Sequence, residues 1–120
     1  MTQQIDVNQL ADALNAKVDL DGTWGFPSHT YDELTLGASG TTYTAPENGY
    51  FVVDKASGAA DKYLNMINTT TGLAIETNCY AATNNLKVWL PVRAGDVVSV
   101  GYSLTGATNF FRFIYAQKTN

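Results

Sequence analysis

Apolar and polar positions alternate most cleanly over residues 86–93. Leu86, Val88, Leu90 and Val92 take one face, and Lys87, Trp89, Pro91 and Arg93 the other. Period-two alternation of this kind marks a strand with one buried face. Ala94-Gly95-Asp96 then reads as a hairpin turn. Val98, Val100, Tyr102 and Leu104 resume the buried face, opposite the smaller Val97, Ser99, Gly101 and Ser103. A face of small residues lets another surface approach closely. Upstream, short strands and turns recur about every ten residues, as in a sandwich or barrel. Glu33–Leu36 and Thr41–Thr44 flank Gly37-Ala38-Ser39-Gly40. Tyr50–Val53 is apolar on both faces, Tyr63–Asn68 follows a loop of small residues, and Leu73–Ala81 precedes the turn Ala82-Thr83-Asn84-Asn85.

The last strand, Asn109–Ala116, differs from the rest. Phe111, Phe113 and Tyr115 share one face, while Phe110, Arg112, Ile114 and Ala116 share the other. Arg112 is its only charge. A strand apolar on both faces is covered on both, and the chain offers little helix to do the covering. The expected cover is another copy of the same protein, with Phe110, Arg112 and Ile114 at the contact. A buried Arg112 would need a carboxylate or backbone carbonyls, because an unpaired buried charge is costly.

One helical segment is expected, at residues 6–18. Asp6 and Gln9 resemble a capping box, and Val7, Leu10 and Leu14 follow heptad spacing. About 12 residues is marginal for a lone helix. The stripe therefore packs either on its own domain or in a short parallel bundle of several chains. Residues 19–31 read as an ordered connector containing Trp24, Phe26 and Tyr31. The expected division is a stalk and connector over 1–31 and a head over 32–120.

Composition narrows the function. The chain has 120 residues, of which 45% are hydrophobic and 15% charged, and its net charge is −4. That size supports a single core. Seven Lys and Arg, spread thinly, make no basic stripe for nucleic acid. No apolar run approaches the ~20 residues of a membrane helix. The polar start Met1-Thr2-Gln3-Gln4 lacks the pattern of a secretion signal, so synthesis in a cytoplasm is expected. The single Cys79 forms no intrachain disulfide and reads as a small buried apolar residue.

Catalytic chemistry is hard to find. His29 is the only histidine, which leaves no Ser/His/acid set and no metal cluster. Asp32 and Glu33 are adjacent, so on a strand they point apart. Asp54, Asp61 and Asp96 are the acids considered for an axial Ca²⁺, and they are scattered in sequence. No metal or cofactor is expected. Asn68-Thr69-Thr70 matches a glycosylation sequon by chance.

Three stretches resemble a known family. Tyr43-Thr44-Ala45-Pro46-Glu47-Asn48-Gly49-Tyr50-Phe51 is similar to the turn into an aromatic strand of C1q/TNF-like jelly rolls. Leu90-Pro91-Val92-Arg93-Ala94-Gly95-Asp96-Val97-Val98 resembles that family's glycine-aspartate hairpin. Phe110-Phe111-Arg112-Phe113-Ile114-Tyr115 resembles its terminal strand, with Arg112 where the family usually has Gly. The resemblance spans residues 32–116 and implies an all-β antiparallel jelly-roll sandwich in a homotrimer. Residues 8–19 resemble segments of bacteriophage tail fibres, which implies a trimeric helical stalk built on Val7, Leu10 and Leu14. Together these imply a phage or prophage fibre tip, carried in the virion, that attaches to a bacterial surface receptor of glycan type.

Alternating strand directions put loops 55–62, 82–85 and 105–109 at one end, away from the stalk. The candidate ligand residues there are Lys62, Tyr63, Tyr80, Asn84, Asn85, Thr108 and Asn109, with Lys55 and Asp61 nearby. Amides bond sugar hydroxyls and aromatic rings stack on apolar sugar faces, although Asn and Thr also simply make turns. Trp89 is either a second platform or a subunit contact. The alternative function is a purely structural trimerising cap with no ligand. A small glycan-degrading enzyme is the third reading, and it would need a carboxylate cluster in a cleft.

Overall fold

The computed structural model describes residues 26–117. The expected helix, with Val7, Leu10 and Leu14, lies outside these residues. The described residues contain eight strands: β1 (Pro27–Glu33), β2 (Thr42–Thr44), β3 (Gly49–Ala56), β4 (Lys62–Asn68), β5 (Ala74–Cys79), β6 (Asn85–Val92), β7 (Val97–Tyr102) and β8 (Thr108–Ala116). A first sheet has the order β1-β8-β3-β6 and a second the order β2-β7-β4-β5. Every pairing is antiparallel. Two four-stranded sheets in this order form a jelly roll.

Alternation sets which side chains meet between the sheets. Phe51 and Val53 from β3, Val88 and Leu90 from β6, and Phe111 and Phe113 from β8 line the first sheet's inner face, all at most 3% exposed. Leu64 and Met66 from β4 and Val98 and Val100 from β7 face them at 0%. The rings interlock: Phe51 lies 5.1 Å from Phe113, and Phe111 lies 4.8 Å edge-on to Tyr43. Burying each such ring contributes about 1.5–3 kcal/mol.

Two details depart from the sequence pattern. β1 starts at Pro27, inside the stretch read as connector. It is an edge strand with nearly every residue exposed, so it has no apolar period to read. Leu34 to Leu36, read as strand, lie beyond β1. Leu34 still donates its N–H to the Phe111 carbonyl at 2.8 Å, and both leucines pack on the core.

Strand directions place the connections alternately. The 57–61, 80–84 and 103–107 loops share one end, the apex. Residues 45–48, 69–73 and 93–96 share the other, the base. The chain also joins at the base, where the Gln117 N–H donates to the Phe26 carbonyl at 2.8 Å. No helix among the described residues is long and apolar enough to cross a membrane.

Candidate functional site

The three apex loops converge on Ser57, which is 0% exposed. Its N–H donates to the Asn84 carbonyl at 2.8 Å, its hydroxyl donates to the Ala81 carbonyl at 3.1 Å, and its carbonyl accepts from Thr105 N–H at 3.0 Å. Lys55 follows Phe51 and Val53 on the inner face of β3. Its ammonium donates to the Gly106 carbonyl at 2.7 Å and the Thr108 hydroxyl at 3.3 Å, and lies 5.0 Å from the Tyr102 ring. A lysine thus closes the top of the core, with its charge held by oxygen and a π-face. No sequence signal separated Ser57 from other loop serines.

The expected ligand residues sit around this hub in different states. The Asn84 side-chain oxygen accepts from Ala81 N–H at 3.2 Å, closing its own turn. Asn109 donates to Asp54 at 2.8 Å, on the outer side of the first sheet. The Thr108 hydroxyl accepts from Lys55. Tyr80 is 87% exposed and Tyr63 37%. Tyr63 pairs with Asn78 on the outer face of the second sheet, and Tyr80 follows just past the end of β5 at Cys79. Lys62 is half-buried at the start of β4, and Asn85 is exposed at the start of β6, opposite Ala56 in the other sheet.

The first sheet's outer face is the second candidate. The register lays its side chains in rows: Tyr31, Ile114, Tyr50 and Pro91, then Glu33, Arg112, Val52 and Trp89, then Phe110, Asp54 and Lys87. Pro27, Tyr50, Val52, Trp89 and Ile114 enclose an apolar depression of about 390 Å³. Trp89 is 53% exposed and stands edge-on to Tyr50 at 5.8 Å. Phe110, Arg112 and Ile114, expected together at a subunit contact, lie together here, each half-buried.

The charges on this face are internally paired. Arg112 Nε donates to Glu33 at 2.7 Å, and its guanidinium lies between the rings of Tyr31 at 4.5 Å and Phe110 at 4.6 Å. Lys87 approaches Asp54 at 3.7 Å and the Phe110 ring at 5.3 Å. The second sheet's outer face is smaller and more polar by contrast, with Thr42, Ser99, Gly101, Asn65, Glu76 and Asn78 in its rows and Tyr63 and Ile67 as the exposed apolar side chains among them.

At the base, Asn68 is 1% and Asp96 7% exposed. Asn68 donates to Asp96 at 2.9 Å and accepts from the N–H groups of Thr70 and Thr71. Its amide is spent inside the fold, which explains why the sequon match carries no glycan-acceptor geometry. Asp54, Asp61 and Asp96 lie respectively on the outer face, at the apex and at the base. Among the described residues no three His, Cys, Asp or Glu gather as metal ligands. Cys79 is buried at 3%.

No protein-family model matches the chain, and no curated protein matches it. Solved structures do. The C-terminal domain of A223, a structural protein from Sulfolobus turreted icosahedral virus, is 22% identical, with 73% of this chain and 91% of that one covered at a TM-score of 0.35. A family 35 carbohydrate-binding module from Cellvibrio japonicus Abf62 is 13% identical, with 80% and 81% covered and a TM-score of 0.43. Pika GITRL is 11% identical, with 77% and 87% covered and a TM-score of 0.41.

Proposed function

We propose that this chain is a trimerising jelly-roll binding module. Its copies meet through the outer face of the β1-β8-β3-β6 sheet, and its apex faces a glycan-bearing receptor on a bacterial surface, as the tip of a viral fibre. One observation carries the reading. Of the two outer faces, that of the β2-β7-β4-β5 sheet sets only Tyr63 and Ile67 among small and polar side chains. The other presents Tyr31, Tyr50, Trp89, Phe110 and Ile114 around a depression, with its charges neutralised in place. Exposed apolar patches of this kind mark contacts between proteins.

The polarity of the fold supports the rest. The chain joins at the base, so a stalk built on Val7, Leu10 and Leu14 would leave the apex free. Three sites on one axis would give avidity from weak single-site affinity. The resemblance of residues 8–19 to fibre segments supports a virion component. A second reading, a structural cap with no ligand, is favoured by the internal bonds of Asn84, Thr108 and Asn109.

Light scattering on the full chain tests the assembly, with a mass of about three times 13.0 kDa expected. A 13.0 kDa species at micromolar concentration would overturn it. A glycan array and binding to intact bacteria separate the two readings, since silence on both leaves only the cap.

A further inference from the structure

A separate cleft lies on the opposite side of the β1 edge. Ser28, Thr30 and Asp32 turn inward along β1, where the inner faces of the other strands carry mostly apolar residues. β2, at the corresponding edge of the second sheet, is only three residues long, so among the described residues no strand roofs this part of β1. Ser28, Thr30, Asp32, Glu47, Tyr115 and Ala116 enclose the resulting cleft of about 440 Å³. That falls within the ≈ 300–1,000 Å³ range of small-molecule sites.

The lining is unusual in kind. Among the described residues it holds three hydroxyls and two carboxylates and no lysine or arginine. The Tyr115 phenol donates to Asp32 at 2.6 Å, which fixes that carboxylate and leaves the ring as one wall. The Ser28 hydroxyl oxygen accepts the Thr30 N–H at 3.1 Å, which holds the two β1 hydroxyl residues in one local turn. A pyranose presents closely spaced hydroxyls that both donate and accept, beside an apolar ring face. Carboxylates accept from such hydroxyls, serine and threonine do either, and a tyrosine ring covers carbon. The hydrogen bond to Asp32 chiefly, then desolvation and the charges of Asp32 and Glu47, raise the Tyr115 pKa. Two carboxylates on the lining favour a neutral sugar over an acidic one.

We propose that the cleft between β1 and residues 45–48 binds a neutral saccharide unit through Ser28, Thr30, Asp32 and Glu47, against the Tyr115 ring. The inference rests on the glycan-binding reading and moves the sugar contact from the apex to the flank of the module at its base, where Glu47, Tyr115 and Ser28 meet.

The test is amide NMR on the full chain titrated with methyl glycosides of glucose, galactose, mannose and N-acetylglucosamine. The largest shifts are expected at residues 28–32, 46–48 and 115–117. Thr30→Val, Ser28→Ala and Asp32→Asn should each weaken the binding, by about tenfold for the carboxylate, with the light-scattering mass unchanged. Shifts gathered at Tyr63, Tyr80 and residues 84–85 would overturn the cleft and leave glycan binding standing. So would variants that bind like the parent, or a response to methylammonium or Ca²⁺ but to no neutral sugar. A silent titration with a positive glycan array also removes only the cleft. Silence in both removes the glycan reading as well.

Discussion

Phe110 and Phe111 are neighbours in sequence on opposite faces of β8, so substituting each in turn separates folding from assembly. Phe111 is 1% exposed, with its ring 4.8 Å from Tyr43 and 6.2 Å from Phe51. Phe111→Ala removes a ring from a packed core and should cost about 3–5 kcal/mol, a large share of the ~5–15 kcal/mol that holds a domain together. Phe110 is half-buried on the outer face, between Arg112 and Lys87. Phe110→Asp forfeits two exposed cation–π contacts worth about 0.5–1 kcal/mol each. The new carboxylate stands opposite Asp54 but beside two cations, so the intrinsic folding cost should stay near 1–2 kcal/mol. Its main effect falls on assembly, because it places a charge in the contact between copies. Urea unfolding and light scattering read the two effects separately. Phe111→Ala should lower the unfolding midpoint strongly. Phe110→Asp should give a folded 13.0 kDa species, less stable than the parent by that small intrinsic cost and by what assembly had contributed. A Phe110→Asp trimer with the parent's mass would refute the proposed interface, and a Phe111→Ala protein within 1 kcal/mol of the parent would refute the packing.

Three further outcomes follow from single sites. The Tyr115 phenol is raised above its ordinary 10.0, first by its hydrogen bond to Asp32, then by desolvation and the charges of Asp32 and Glu47. Its contribution is therefore whole below pH 10.0 and lost as pH rises through the higher folded value; the difference in tyrosinate absorbance between the parent and Tyr115→Phe should show one late-ionising group, which Asp32→Asn moves back down. Asn68→Asp sets a second carboxylate against Asp96, where the amide now donates at 2.9 Å, and should cost about 3 kcal/mol or more at neutral pH; thermal melts should show the gap to the parent narrowing as pH falls toward about 4. Gly106→Ala would press a Cβ to 2.6 Å from both the Cβ and the carbonyl oxygen of Ala56, and should cost about 1–3 kcal/mol in a melt by prying the apex loops apart.

Much of the sandwich was legible because the core faces obey the pleat. The alternation of Leu86, Val88, Leu90 and Val92 fixes β6, and the glycine-aspartate hairpin fixes its partner in the next sheet. The placing of loops at the two ends followed from strand direction alone. β1 was not legible, because an edge strand exposed on both sides has no apolar period, and Pro27 and His29 read as connector. The cleft beside it was hidden for the same reason. Its residues are joined by a strand that stops short, not by a motif. At the apex, pattern located the loops but could not tell a ligand amide from a turn amide. Asn84 resolves into a turn former through its bond to Ala81 N–H, which depends on a backbone path that no residue count specifies.

The argument from β8 also changes once its neighbours are in place. Two apolar faces on one strand implied a cover, but the outer face is a laddered surface and Arg112 is not stranded on it. Glu33 answers Arg112, and Asp54 answers Lys87, both within the same sheet. A surface whose charges are already neutralised by their neighbours asks nothing of its partner. Burying it leaves no lone ion to desolvate, which is the step that usually makes charged contacts unfavourable. The apolar centre of Val52, Ile114, Tyr50 and Trp89 can then supply the affinity, while the charged pairs lie toward the rim. The same arrangement predicts which side of Arg112 matters. Glu33→Gln should weaken association more than it weakens folding, because the guanidinium left without its carboxylate is still hydrated in the free copy and becomes an unpaired, desolvated ion only when the face is covered. Concentration-dependent light scattering reads the dissociation constant of the trimer, and urea unfolding of the dissociated chain reads the fold. Equal losses in both would mean that the Glu33–Arg112 pair serves the sheet and not the contact.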